Sequence, residues 1–475
     1  MRKLHLVEAR YIAYIVKWSL IAALIGVVAG VGAIILYDAI EFCDKVFLGY
    51  LAGYVDPTPA GEGGVSPLLP RNPILIPLVT ALGGLLSGVL VYALAPEAEG
   101  DGMDATIDAF HNRGGEIRSR VPIVKLAASA ITIGSGGSAG REGPIAQIGA
   151  GFGSLLSEIL RLKPHERRIA VVVGMGAGIG SIFRAPLGGA LLAAEALYIN
   201  DFEVEVLPPA FIASVVGYLT FSYVKGWAPM FSCADAASPL DPVSILLYAA
   251  LGVVSGLAGV AFVKSLHLVE ETFRGFPIPK IFKPAIGGLI LGVIGAFFPQ
   301  VLGTGYGWIQ LIVDKRFEFI PASIIPVLVL LKILATSITI GSGGSGGLLA
   351  PSLVIGGFLG ATTWLIFKAA LPSIQTSLAS LVIVGMTAFF GGVGKVPVAA
   401  IVMASEMTGD YALLAPSMVA TSIAYVITGR NTMYRYQLRS KAESPAHRSE
   451  YLAQLEASIA EARSKQGRGN IETRR

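Results

Sequence analysis

The chain has 475 residues, of which 53% are hydrophobic and only 14% charged, and its mean hydropathy is +0.68. Soluble proteins carry about 25% charged residues. Water therefore cannot solvate most of this surface, which excludes a secreted domain, a nucleic-acid binder and a cytosolic enzyme. The net charge of +4 is small, and the 58 glycines and 27 prolines follow no Gly-X-Y period. They point instead to closely packed, interrupted membrane helices.

In chain order, Arg2, Lys3 and Arg10 precede a first apolar helix over 14–37. No small-residue cleavage site follows it, so it is expected to be retained in the membrane. Further apolar segments cover 73–95, 121–133, 144–161, 169–182, 186–199, 206–224, 243–263, 284–304, 323–340, 351–371, 378–394, 396–406 and 411–428. Several are too short to cross about 30 Å of hydrocarbon at 1.5 Å per residue. Broken helices of this kind are stable at membrane depth where protein or an aqueous cavity satisfies the freed backbone. Arg430, Arg435, Arg439, Lys441 and a basic tail follow the last span. The positive-inside rule then places both termini in the cytoplasm, in a multi-pass protein of the cell membrane with an even number of crossings. The tail, 441–475, is polar, with a weak helical stripe of Leu452, Leu455 and Ile459. Residues 1–440 form the transmembrane domain. Cys43 and Cys233 stand far apart and the five histidines are scattered, so neither a disulfide framework nor a metal or cofactor site is expected.

An internal repeat organises the transmembrane part into halves over about 70–225 and 280–430. Residues 125–153 align without a gap to 332–360, with 15 of 29 positions identical. A second matched pair carries Pro186 with Pro397 and Glu195 with Glu406. Paired interrupted segments in two halves point to a binding site near the membrane midplane. Identity alone leaves open whether the halves are parallel or inverted.

The duplicated runs Gly134–Pro144 and Gly341–Pro351 each end in a proline suited to the first turn of a helix. First-turn amides lack intrahelical partners, and with the positive end of the helix dipole they form a site for an anion. Glu142 lies inside the first run and Leu349 stands at the same place in the second. An ionised carboxylate there competes with the anion and a protonated one withdraws, which makes Glu142 a candidate gate and proton carrier. Glu195 and Glu406 are expected to pair with backbone amides, and the duplicated Lys125 and Lys332 to snorkel or pair.

Gly140-Arg141-Glu142-Gly143-Pro144 is similar to the GREGP motif of the CLC chloride channel and chloride/proton antiporter family, and Gly347-Leu348-Leu349-Ala350-Pro351 resembles its GxFxP motif. The resemblance covers most of residues 10–448. It implies an all-α membrane fold of two inverted halves of tilted, interrupted helices, assembled as a homodimer with one pore per subunit. It also implies chloride as the substrate, exchanged for protons, with Glu142 as the gate. The anion would be bound by Gly102, Arg141, Gly143, Leu348, Leu349 and the Tyr434 hydroxyl, together with the residue at position 101.

Two departures stand out. Asp101, in Gly100-Asp101-Gly102-Met103-Asp104, occupies the place of the family's anion-binding serine. An ionised aspartate about 4 Å from chloride would repel it by roughly 4 kcal/mol at an effective dielectric near 20. Asp101 must then be protonated, turned away, or part of a different mechanism, and it is a candidate for proton access from the cytoplasm. Ala196 stands where antiporters of the family commonly carry an internal proton-transfer glutamate. That absence favours a passive voltage- or pH-gated channel, whereas the lack of a regulatory domain in this chain favours exchange. A more distant reading is an intramembrane serine hydrolase, from the G-x-S-x-G pattern at Gly136–Gly140, but no histidine base lies within an apolar run.

Overall fold

The computed structural model describes residues 2–233 and 241–448. The Leu452, Leu455, Ile459 stripe lies outside the described residues. Within them the chain forms α1 (Arg2–Asp44), α2 (Ile76–Leu94), α3 (Met103–Asn112), α4 (Arg120–Gly134), α5 (Glu142–Ile159), α6 (Pro164–Ile182), α7 (Pro186–Glu195) and α8 (Leu207–Lys225). A second series follows: α9 (Pro242–Gly275), α10 (Lys283–Phe297), α11 (Tyr306–Val313), α12 (Ile325–Gly341), α13 (Leu349–Ala370), α14 (Leu378–Gly394), α15 (Pro397–Thr408) and α16 (Leu414–Thr428).

Every apolar segment read from the sequence contains a helix, although 186–199 and 284–304 run past the ends of theirs. α3 and α11 lie outside those segments, because α3 is polar along much of its length and α11 has only eight residues. Eight helical segments among the described residues are long and apolar enough to cross a membrane. Their outward faces are apolar, with Leu20, Leu246 and Leu330 each more than two-thirds exposed. A surface of this kind is stable against lipid and not against water.

The packing repeats with a period of eight helices. α1 packs on α4, α6 and α8, as α9 packs on α12, α14 and α16; α5 packs on α6 as α13 packs on α14. Glycine permits the closest crossings. A methyl group at Gly149 would stand 2.2 Å from the Gly174 carbonyl oxygen, and one at Gly174 would stand 2.2 Å from that of Gly149. Gly356 and Gly385 reproduce the arrangement in the second half, at 2.2 and 2.3 Å. Small residues that let backbones touch in this way drive helix association in lipid.

The glutamate pair fixes the relative direction of the halves. Glu195, the last residue of α7, accepts hydrogen bonds from the Val398 and Ala399 amides at the start of α15 at 3.1 and 2.7 Å. Glu406, near the end of α15, accepts from Leu187 and Gly188 at the start of α7 at 3.1 and 2.7 Å. Each helix thus ends on the beginning of its counterpart. The two run antiparallel, and the halves are inverted. Pro186 and Pro397 open these helices without an N–H of their own, leaving the following amides to the carboxylates.

After α16 the chain passes the end of α14 and returns to the first half, against α3, α6 and the α7–α8 connection. Ile199 and Asn200 donate backbone hydrogen bonds to Leu438 and Arg439 at 2.7 and 3.0 Å. Lys441 and His447 meet Glu203 at 2.8 and 2.9 Å, and Ser444 meets His111 at 2.8 Å. Burial would push the Glu203 carboxyl up from its ordinary 4.5, but hydrogen bonds from His447 and Lys441 outweigh it and hold it at about 2. A depressed carboxyl stabilises the fold above its unfolded value and loses that contribution as pH falls toward its folded one. Hydrogen exchange over 436–447 is therefore expected to stay slow at pH 7 and to rise between pH 4.5 and 2. Glu203→Gln should give fast exchange of the same segment at pH 7.

Candidate anion site

The starts of α5 and α13 meet at the centre of the molecule. Gly136 and Gly343 take φ of +102° and +98°, where an L side chain is strained, and turn the chain after α4 and α12. The runs that follow are joined by a reciprocal pair of bonds: Gly140 N–H donates to the Gly347 carbonyl at 2.8 Å, and Gly347 N–H to that of Gly140 at 2.6 Å. The first-turn amides of both helices therefore point into one small volume, each carrying the positive end of its helix dipole.

Asp101 fills that volume. Its Oδ1 accepts a hydrogen bond from Leu348 N–H at 2.6 Å and would lie 2.7 Å from a methyl group at Gly143. The carboxylate also faces the first amides of α3, at Met103 and Asp104. Three helix starts converge on one carboxylate, so Asp101 is turned toward the candidate anion site and not away from it. The flanking Gly100 and Gly102 take φ of +66° and +39°. Lys125 secures this turn by donating to the Ala98 and Gly100 carbonyls at 3.2 and 2.5 Å. Lys332 does the same in the second half, donating to Val301 and Gly303 at 3.0 and 2.9 Å. Both lysines are fully buried, so they act by pairing with carbonyls and do not snorkel.

Glu142 is fully buried and points elsewhere. Its Oε1 accepts the Tyr306 hydroxyl at 2.8 Å and lies 4.0 Å from Arg141 Nε. The Arg141 guanidinium is itself ion-paired with Glu62, from the α1–α2 connection, and its centre lies 5.0 Å from the Tyr37 ring centroid. Tyr434 is fully buried in the segment after α16, within electrostatic range of Asp101, Asp104 and Glu142. Among the described residues, Asp101 Oδ2, Glu142 Oε2 and the Tyr434 hydroxyl have no hydrogen-bond partner. Buried polar atoms are seldom left so. Beside Ala196, the Gln437 amide donates to the Ala196 and Gly394 carbonyls at 3.0 and 3.1 Å.

Asp101, Gly102, Arg141, Glu142, Gly143, Leu348, Leu349 and Tyr434 were expected from the sequence, whereas Tyr306 and Glu62 were not. A signal for Tyr306 exists: Gly303-Thr304-Gly305 before α11 corresponds to Gly100-Asp101-Gly102 before α3, and both turns are secured by the duplicated lysines. Hydrogen bonds to charged groups contribute about 1.5–3 kcal/mol. Tyr306→Phe is thus expected to shift the Glu142 side chain out of its present position by roughly tenfold to a hundredfold in equilibrium. The readout is a lower chloride flux at neutral pH that recovers in acid.

A cavity of about 310 Å³ leads from the surface beside Glu116 and Arg118 to Asp101 and Leu348. Seven carboxylate residues and three arginines line it. Three of those carboxylates, Asp108, Glu97 and Glu270, pair with Arg113, Arg118 and Arg435. The walls next to Asp101 therefore keep an acidic excess.

The model of the voltage gated chloride channel family matches residues 83–429. The chain belongs to this family. It is 30% identical to an uncharacterized protein of Methanocaldococcus jannaschii, over 89% of this chain and 96% of the relative. It is 26% identical to the H(+)/Cl(-) exchange transporter ClcA of Salmonella arizonae, over 90% of each chain. Among solved structures, a slow cyanobacterial Cl-/H+ antiporter superposes with a TM-score of 0.74 at 23% identity, covering 88% of this chain and 96% of that one. That likeness establishes the family's fold for this chain, a multi-pass helical membrane protein of two inverted halves.

Proposed function

We propose that this chain exchanges chloride for protons across the cell membrane, as a homodimer with both termini in the cytoplasm. The observation that carries the reading is the convergence of the α5 and α13 starts, where the Leu348 amide already holds a carboxylate oxygen as it would hold an anion. Gly143, Leu348 and Leu349 contribute backbone donors, Tyr434 its unpartnered hydroxyl, and Gly102 the close approach of α3. Arg141 sets the potential at Glu142. Backbone dipoles bind an anion without a full opposing charge, weakly enough for it to leave again. Glu142 has the burial and the unpartnered oxygen expected of a group that takes up a proton when the pathway opens. Residues 1–440 act as the transport domain and 441–475 as a cytoplasmic tail. The substrate ion needs no resident cofactor.

Exchange is preferred to passive conduction because the ClcA relative is an H(+)/Cl(-) exchange transporter and the cyanobacterial neighbour a Cl-/H+ antiporter. The test is a liposome assay that records both ions from the same vesicles. An outward chloride gradient is expected to drive protons inward at a fixed ratio. Chloride efflux with no coupled proton movement would establish the passive channel instead.

A further inference from the structure

The carboxylate that holds the anion's place belongs to Asp101 and not to the candidate gate, and this has a consequence for how the site fills. Asp101 is nine-tenths buried, with one oxygen on the Leu348 amide and the other without a partner. It stands at the inner end of the acidic cavity, which reaches Asp101 and Leu348 but does not touch Glu142.

We propose that Asp101 is a tethered competitor for the anion, so that an anion enters from the cavity only as Asp101 takes up a proton. This rests on the anion-transport reading above. In the ionised state Asp101 Oδ1 accepts the Leu348 N–H and the seat is full. When a proton from the cavity binds the carboxylate, the neutral carboxyl becomes a weak acceptor and gives up the amide. The incoming anion then accepts the same N–H, and the protonated carboxyl becomes a donor within reach of the anion. One proton and one anion are gained together, so the charge of the buried site is unchanged. That avoids the cost of placing two anions in one low-dielectric volume.

The groups facing Asp101 fit this exchange. Lys125 from α4 supplies the positive charge nearest the turn. Asp104 from α3 supplies a negative one and is itself near Arg435 and Glu270. Tyr434, from the segment after α16, faces Asp101 with an unpaired hydroxyl. The α13 start offers only backbone donors and apolar side chains, and α5 offers Gly143, with Glu142 turned to Tyr306. The carboxylates lining the cavity hold protons close to its inner end.

The experiment is calorimetric titration of chloride into the purified full-length chain carrying Glu142→Gln, from pH 5 to pH 8, so that the gate carboxylate no longer titrates. One-proton linkage predicts an apparent Kd that rises about tenfold per pH unit once Asp101 is ionised. Adding Asp101→Ser, or the near-isosteric Asp101→Asn, should flatten the profile and leave tighter binding at pH 8. A flat profile with Asp101 in place, or a slope that survives both substitutions, overturns the tethered-competitor mechanism while leaving anion transport intact. Absence of chloride binding in every form at every pH overturns the transport reading itself, and this mechanism with it.

Discussion

Glu142→Gln is expected to reduce proton transport to the level of protein-free vesicles while chloride continues to move. Glutamine keeps the length of the side chain and an oxygen that can accept the Tyr306 hydroxyl, so the packing around position 142 is preserved. It cannot exchange a proton. The side chain has no exposure, its second oxygen is unpartnered, and the adjacent Arg141 is shared with Glu62. Arg141 neutralises one of the two carboxylates beside it more fully than both together. A proton on Glu142 would remove the surplus negative charge, which fits the proton-carrier role proposed for it. Chloride flux in the variant should keep a dependence on pH, because Asp101 remains. Proton movement within a few-fold of the unsubstituted chain would show that the proton bypasses Glu142.

The largest effect on stability is expected at Glu195. Removing its carboxylate by Glu195→Ala leaves the Val398 and Ala399 amides without their acceptor, Ala399 fully buried and Val398 half exposed. An unsatisfied buried donor costs about 1–3 kcal/mol, so the loss is on the order of 1–3 kcal/mol, most of it at Ala399. Glu406→Ala should cost less, because the Glu406 carboxylate is itself partly exposed whereas Glu195 is buried, so water can more readily replace it on the Leu187 and Gly188 amides. Thermal unfolding of the purified protein in detergent, followed by the fraction that stays monodisperse, should rank Glu195→Ala below Glu406→Ala and both below the unsubstituted chain. Equal midpoints for all three would mean that the two clasps contribute nothing to holding α7 against α15.

The apolar spans, the repeat and the two helix starts were legible from residue pattern alone, because hydrophobic runs and a matched block of glycines are local properties. The pairing of Glu195 and Glu406 with amides was also foreseeable, since a buried carboxylate needs donors. That each reaches the opposite half was not, as it depends on the inversion. α3 escaped because its burial is supplied by neighbouring helices and leaves no apolar run in its own sequence. Tyr306 and Glu62 escaped for a related reason: they meet Glu142 and Arg141 across 164 and 79 residues of chain. Asp101 was visible as an anomaly in its motif, but the choice between turning away and turning in needed the Leu348 amide in place.

The inversion of the halves has a consequence for the polarity of the machine. A scaffold that presents the same helices to both faces of the membrane has no built-in direction, so any difference between its two ends must lie where the repeat is broken. Two of those breaks fall at the candidate site. Glu142 is answered by Leu349, and Asp101 by Thr304 in the corresponding turn before α11. These two mismatched positions lie at the convergent helix starts, where they help the molecule tell its two faces apart.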